Sequence, residues 1–316
     1  MKKIYALTAL MMTSLCIMGQ SMKVQANFAK GEYAIYESTS KAQMASPQGE
    51  EEAMNATGEI KYEVTEANKD GYTIAITTQK WDNGEEDTSD AGLLNNFSNL
   101  FEEFVVGQTT ILSTNKDGKV LGIKNYEEMK KYLETLTDSV LDKIFGAAEA
   151  SSLPLKKENF KDMMMDQLTE ENILQSVLHS SNQFSLYGKT IATGVTEDEM
   201  MNGMKMKTTY FVMPQKSADH YTIKSSSVIN MEKEDIKKLV IDNVKKIMPE
   251  QADMVVQNID MLLDSGMLKF EGSRTCTYTF LPNGWLQEAE MTQKTNSMGS
   301  ESTVTNTWKI KECSWK

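Results

Sequence analysis

Apolar and polar residues alternate with a period of two over three early stretches, 31–38 ("GEYAIYES"), 58–67 ("GEIKYEVTEA") and 71–81 ("GYTIAITTQKW"), which predicts three half-buried strands. Ile60, Tyr62 and Val64 fall on one face of the second, and Tyr72, Ile74 and Ile76 on one face of the third. "ANKDG" joins these two as a tight hairpin, and a polar loop over 82–92 follows. Residues 109–123 form another hairpin, turned at Asp117-Gly118, where a positive φ is needed.

The period then lengthens. Asn125 and Glu128 make a capping-box-like start, and Met129, Tyr132, Leu133, Leu136, Val140 and Ile144 recur at helical spacing. Leu133 and Leu136 are expected against the sheet. Shorter helices are predicted over 156–166 and 170–179, with Thr169 as the cap of the latter. Strand-like residues return over 183–214, interrupted by "TGVTEDEMMNGM", which reads as a polar loop, and 220–229 is a further strand. A helix carrying Ile236, Leu239, Val240, Val244 and Ile247 ends near Pro249, and a second runs to Gly266. Strands at 270–281, 285–294 and 302–313, turned at "PNG" and "NSMGS", complete the chain.

Hairpins segregated from helices predict an α+β fold: a curved antiparallel sheet, half-barrel-like, with amphipathic helices on one face. Short turns between most strands argue against parallel winding.

The first residues carry a different signal. Lys2 and Lys3 precede the apolar run "IYALTALMMTSLCIMG", and "VQA" places Val24 and Ala26 at the positions a signal peptidase reads. A cleaved leader over 1–26 is therefore expected, leaving 27–316 as one α+β domain of loose two-part organisation. Lipidation at Cys16 is disfavoured by Leu15 before it. No later run is long and apolar enough for a membrane-spanning helix. Location in the periplasm or outside the cell follows.

Charge narrows the partners. The chain holds 33 Lys and Arg against 45 Asp and Glu, for a net charge of −12. The leader takes three lysines and no acid, so the remainder carries −15. Such a surface repels phosphate backbones and anionic headgroups, which argues against nucleic-acid binding. Arg274 is the single arginine, so the usual bidentate clamp for phosphate or carboxylate is scarce.

Two hairpins carry a resemblance. "STNKDGKVLGIKN", leading into a helix, and "GSRTCTYTFLPNGWLQEAEM" resemble landmarks of a family of uncharacterised secreted proteins from Bacteroidetes. That family is similar in outline to lipoprotein-carrier half-barrels, in which a curved sheet wraps helices around an apolar cavity. The resemblance implies a carrier-like fold and offers no catalytic residues.

Catalytic chemistry is sparse. His179 and His220 stand outside any motif, and no G-x-S-x-G elbow, H-E-x-x-H pair or phosphate loop is present. Acidic runs such as Glu85-Glu86-Asp87 read as solvated surface. A non-enzymatic protein without a cofactor is expected, and a hydrolase is disfavoured. Cys276 and Cys313 leave a disulfide open: Cys276 shares the face of Tyr278 and Phe280, whereas Cys313 is out of phase with Trp308 and Ile310.

Methionine is the one enrichment, with 23 residues. Met201, Met204 and Met206 have the M-x-x-M-x-M spacing that copper(I) favours. Methionine is spread along the whole chain, which points to packing instead. Met129, Met163, Met164 and Met254 on the helices are candidates to line an adaptable apolar cavity. The expected role is binding of an apolar, lipid-like molecule; an envelope protein as partner is the alternative.

Overall fold

The computed structural model describes residues 21–46, 49–82, 84, 106–146, 157–166, 168–181, 183–201, 204–213, 220–247, 252–264, 270–297 and 300–315. Its strands are β1 (Ser21–Lys23), β2 (Tyr33–Ser46), β3 (Gly49–Asn68), β4 (Gly71–Asp82), β5 (Thr109–Thr114), β6 (Val120–Ile123) and β7 (Thr190–Ala192). They continue as β8 (Thr196–Met201), β9 (Met204–Val212), β10 (Tyr221–Asn230), β11 (Phe270–Phe280), β12 (Leu286–Ser297) and β13 (Ser300–Cys313). Helices α1 (Tyr126–Gly146), α2 (Lys157–Asp166) and α3 (Glu170–Ser181) follow β6, and α4 (Lys233–Ile247) and α5 (Ala252–Asp264) lie between β10 and β11.

Eleven strands form one antiparallel, open, curved sheet in the order β6-β5-β4-β3-β2-β13-β12-β11-β10-β9-β8. Each half of the chain is a meander, and the two halves meet where β13 pairs with β2. The antiparallel α+β expectation holds.

Strand parity gives the sheet one covered face. A row across it runs Val212, Ile223, Tyr278, Ala289, Trp308 and Ser38, each opposite the next in register. Tyr62, Val64, Ile74 and Leu112 continue the same core on the other side of the join. Each large apolar side chain fully buried there contributes ~1.5–3 kcal/mol. Helical residues pack on this face too: Tyr126, Met129 and Leu133 of α1 and Leu174, Val177 and Leu178 of α3 lie against the core. Leu133 thus sits where expected, and Leu136 is half-buried.

Residues 21–28 and 183–193 plug one end of this face. β1 pairs with β7 as a separate two-stranded sheet. Phe28, Phe184, Tyr187, Phe280 and Trp285 join them in a continuous aromatic cluster.

Two expectations need correction. The stretch "TEDEMM" is the edge strand β8, paired residue for residue with β9, not part of a loop. Its polar side chains are tolerated because an edge strand gains its order from backbone pairing with one neighbour. Strands β2 and β3 also extend far beyond 38 and before 58, through "STSKAQMAS" and "GEEEAMNAT", where little apolar alternation marks them. The polar loop expected over 82–92 lies, apart from Asp82 and Gly84, outside the described residues.

Cys276 is buried and Cys313 half-exposed, and both are free thiols. Cys276 stands opposite Met291, which stands opposite Asn306. Cys313 therefore lies seven residues farther along β13, ~23 Å away at strand rise, too far to bridge.

Candidate functional site

The covered face changes character along its length. At its base the plug closes it: Val24, Ala34, Tyr36, Leu186, Tyr187, Phe280 and Trp285 are nearly or wholly buried. Toward the far end the rows become polar. One runs Thr208, Ser227, Arg274, Gln293 and Val304, and the next Tyr210, Ser225, Cys276, Met291 and Asn306. Met291, Val304 and Asn306 lie among these polar groups, and only Met291 of the three is fully buried.

Arg274 stands in the middle of this band and is only 7% exposed. Its positive charge reaches the phenols of Tyr210 and Tyr278, partly opposing the upward shift that burial gives both. In the same row Thr208 and Ser227 share a hydrogen bond of 2.9 Å. Beside them, on the edge strand, Glu199 accepts hydrogen bonds from Tyr210 Oη at 2.7 Å and Thr208 Oγ1 at 2.8 Å. Lys189 Nζ lies 3.0 Å from the same carboxylate. Burial raises the Glu199 pKa, but Lys189 and the three hydrogen bonds outweigh it, so the group is held below the usual glutamate range. Tyr210 is pushed up by burial and by the neighbouring Glu199 carboxylate. The result is a polar network set into an otherwise apolar face.

The far end is bounded by two small apolar clusters. Met206 and Ile229 pack with Phe270, and Ile236, Ile259 and Leu263 join α4 to α5. Neither cluster merges with the base core among the described residues. Apolar positions on the helices, including Leu136, Met164, Met165, Val244 and Val256, are half-buried. On the outer face, a groove of about 570 Å³ crosses β10 to β13 near Val228, Ser273, Lys294 and Thr303. Its lining is mostly polar, unlike an apolar ligand site.

Of the methionines expected to line a cavity, Met129 packs against the base core and Met164 is half-buried on α2. The side chains of Met163 and Met254 lie outside the described residues. Met201 and Met204 are paired in register at the end of β8 and the start of β9, their side chains likewise outside the described residues. Met206, the third of that trio, is 1% exposed beneath Ile229.

In the sequence Arg274 stood out only as the single arginine, and Glu199 and Tyr210 carried no site signal. A signal for Arg274 existed, since it shares parity with Cys276, Tyr278 and Phe280, a face recognisable as core. An arginine on that face is a group the fold has to accommodate. Glu199 was hidden inside an acidic run whose strand character was not legible.

Comparison with known protein families, and with characterised proteins by sequence, finds no match. Among solved structures, the chain is similar to lipovitellin, in a structure described for its lipid–protein interactions, at TM-score 0.47 and 8% identity over 90% of this chain. The match covers 26% of lipovitellin, so this chain spans about a quarter of that protein's length. A porin-like protein from Bacteroides uniformis aligns over 91% of this chain and 100% of its own, at TM-score 0.18 and 10% identity. An outer membrane channel from Pseudomonas putida aligns over 91% of this chain and 97% of its own, at TM-score 0.16 and 5% identity. No helix among the described residues is long and apolar enough to cross a membrane.

Proposed function

We propose that this is an exported binding protein that holds an apolar, lipid-like molecule between the sheet and helices α1, α2, α4 and α5, with the molecule's polar end toward Arg274. The observation that carries the reading is the division of the covered face. Its base is closed by a packed aromatic plug, whereas the region beyond has separate small clusters, half-buried aliphatic and methionine side chains, and a buried cation. Apolar walls with a few fixed polar groups are the usual composition of a site for an amphiphile. Met164, and Met129 at the boundary with the base, would supply adaptable surface, with Met163 also on α2 and Met254 on α5. Arg274, in a row with Ser227 and Thr208 and next to the row of Ser225, would take a carboxylate or phosphate end.

The test is a thermal-stability titration with palmitate and with hexadecanol. A ligand that binds the native state alone adds ~2.7 kcal/mol at a hundredfold excess over Kd. Both are expected to raise the melting temperature, palmitate more strongly. Arg274→Gln should erase the difference between them, and Met164→Lys should abolish both shifts, since a buried unpaired ammonium is costly. Circular dichroism first establishes that each variant is folded. The absence of a shift across fatty acids, sterols and phospholipids would overturn this reading and favour an envelope protein as the partner.

A further inference from the structure

Residues 22–26 behave as a structural part of the fold. The Val24 N–H donates to Lys189 O at 2.9 Å, and the Gly188 N–H donates back to Val24 O at 2.8 Å. The Ala26 N–H donates to Asp117 O at 3.0 Å, in the β5–β6 turn at one edge of the sheet. The Asn27 N–H donates to Asn283 O at 3.1 Å, in the β11–β12 turn near its middle. Val24 is 0% and Ala26 2% exposed, and Lys23 Nζ lies 2.8 Å from Asp117 Oδ1. One short strap thus ties both turns to the β7 segment.

Two glycines are fitted to it. Gly118 has φ +89°, and a Cβ there would come within 2.6 Å of the Ala26 Cβ. Gly284 has φ +86°, and a Cβ there would come within 2.4 Å of the Gln25 carbonyl oxygen. Cleavage between Ala26 and Asn27 would discard the very segment against which both turns close.

The sequence offers a second small-x-small triplet, Gly19-Gln20-Ser21, directly after the apolar run of the leader. It also leaves Lys23 outside the leader, where its ion pair with Asp117 has a structural role. We propose that the leader is cut after Ser21, so that Met22 is the first residue of the mature protein and 22–26 are retained as the strap that closes the base. The step is a hydrolysis: the Ser21–Met22 amide breaks, water supplies the hydroxyl of the Ser21 carboxyl group, and the amine of Met22 takes the proton. The inference rests on reading the first residues as a secretion leader.

Intact mass and amino-terminal sequencing of the exported protein test it. A chain starting at Met22 is the expected result. A start at Asn27, or at any other residue, overturns the assigned bond. A retained Met1, or a diacylglyceryl mass on Cys16, overturns the leader reading itself and is distinguishable by mass. The structural half is tested by producing chains that begin at Met22 and at Asn27 without a leader. The shorter chain should melt lower by ~10 °C, through loss of two buried side chains and the strap hydrogen bonds. Equal melting temperatures would overturn the role of the strap.

Discussion

Replacing Tyr187 by Phe should make the protein less stable at neutral pH but not in strong alkali. Tyr187 is 2% exposed at the centre of the aromatic plug, and its hydroxyl donates to Gly284 O at 2.7 Å. Removing the hydroxyl leaves that carbonyl short of a partner, which costs ~1–2 kcal/mol. The phenol is also held well above its ordinary value of 10.0, first by burial and then by the neighbouring phenols. A raised folded-state pKa means that the stability this group contributes is fully present below the unfolded value and is lost as pH rises above it. Each pH unit beyond 10 therefore removes ~1.4 kcal/mol per such tyrosine, because the unfolded chain ionises and the folded one does not. Tyr36 and Tyr278 act in the same sense, so wild type loses ~4 kcal/mol by about pH 11 from these three groups. The variant loses one share fewer, and its deficit should vanish by about pH 11. Urea unfolding followed by far-ultraviolet circular dichroism, at a series of pH values, measures both curves. Lysine titration in the same range is common to the two proteins and cancels in the difference. A deficit that stays constant with pH would refute the assignment of Tyr187 as a buried, protonated phenol.

Glu199 makes the opposite prediction in acid. Its folded pKa lies below the ordinary 4.5, so its contribution is present above that value and is lost as pH falls through the depressed one. Wild type should therefore lose more stability than Glu199→Gln as pH falls below the ordinary 4.5, and parallel urea-midpoint curves would contradict this. Gly118→Ala combines a positive φ with a Cβ 2.6 Å from that of Ala26, and should cost ~2–4 kcal/mol in chemical denaturation. Adding Ala26→Gly should recover the part due to the clash; no recovery would mean the backbone conformation alone is responsible. Thiol titration of the mature protein in urea without reductant should find Cys276 and Cys313 both reactive, whereas a bridge would leave neither.

The amino-acid sequence alone determined the elements whose two faces differ. Ile60, Tyr62 and Val64 alternate with charged residues, and Leu133 recurs at helical spacing, because half-buried strands and helices write their buried face into the chain. The antiparallel hairpins and the segregation of helices followed from those patterns and from turn residues such as Asp117-Gly118. Other parts were decided only in three dimensions. The far halves of β2 and β3 and the Thr196–Glu199 part of β8 show little apolar alternation, and backbone pairing with neighbouring strands makes them strands. The join of β2 to β13 brings together residues from opposite ends of the chain, where no local pattern can specify a partner. Residues 22–26 have the look of a cleavage region in sequence, and only their burial against two glycine turns and β7 reveals a structural strap. Arg274 shows the same division. Its parity indicated the core face, but the polar row it shares with Ser227 on β10 and Thr208 on β9 exists only once the sheet is assembled. A buried charge and its surroundings are a property of register between strands, and register is set by the tertiary fold.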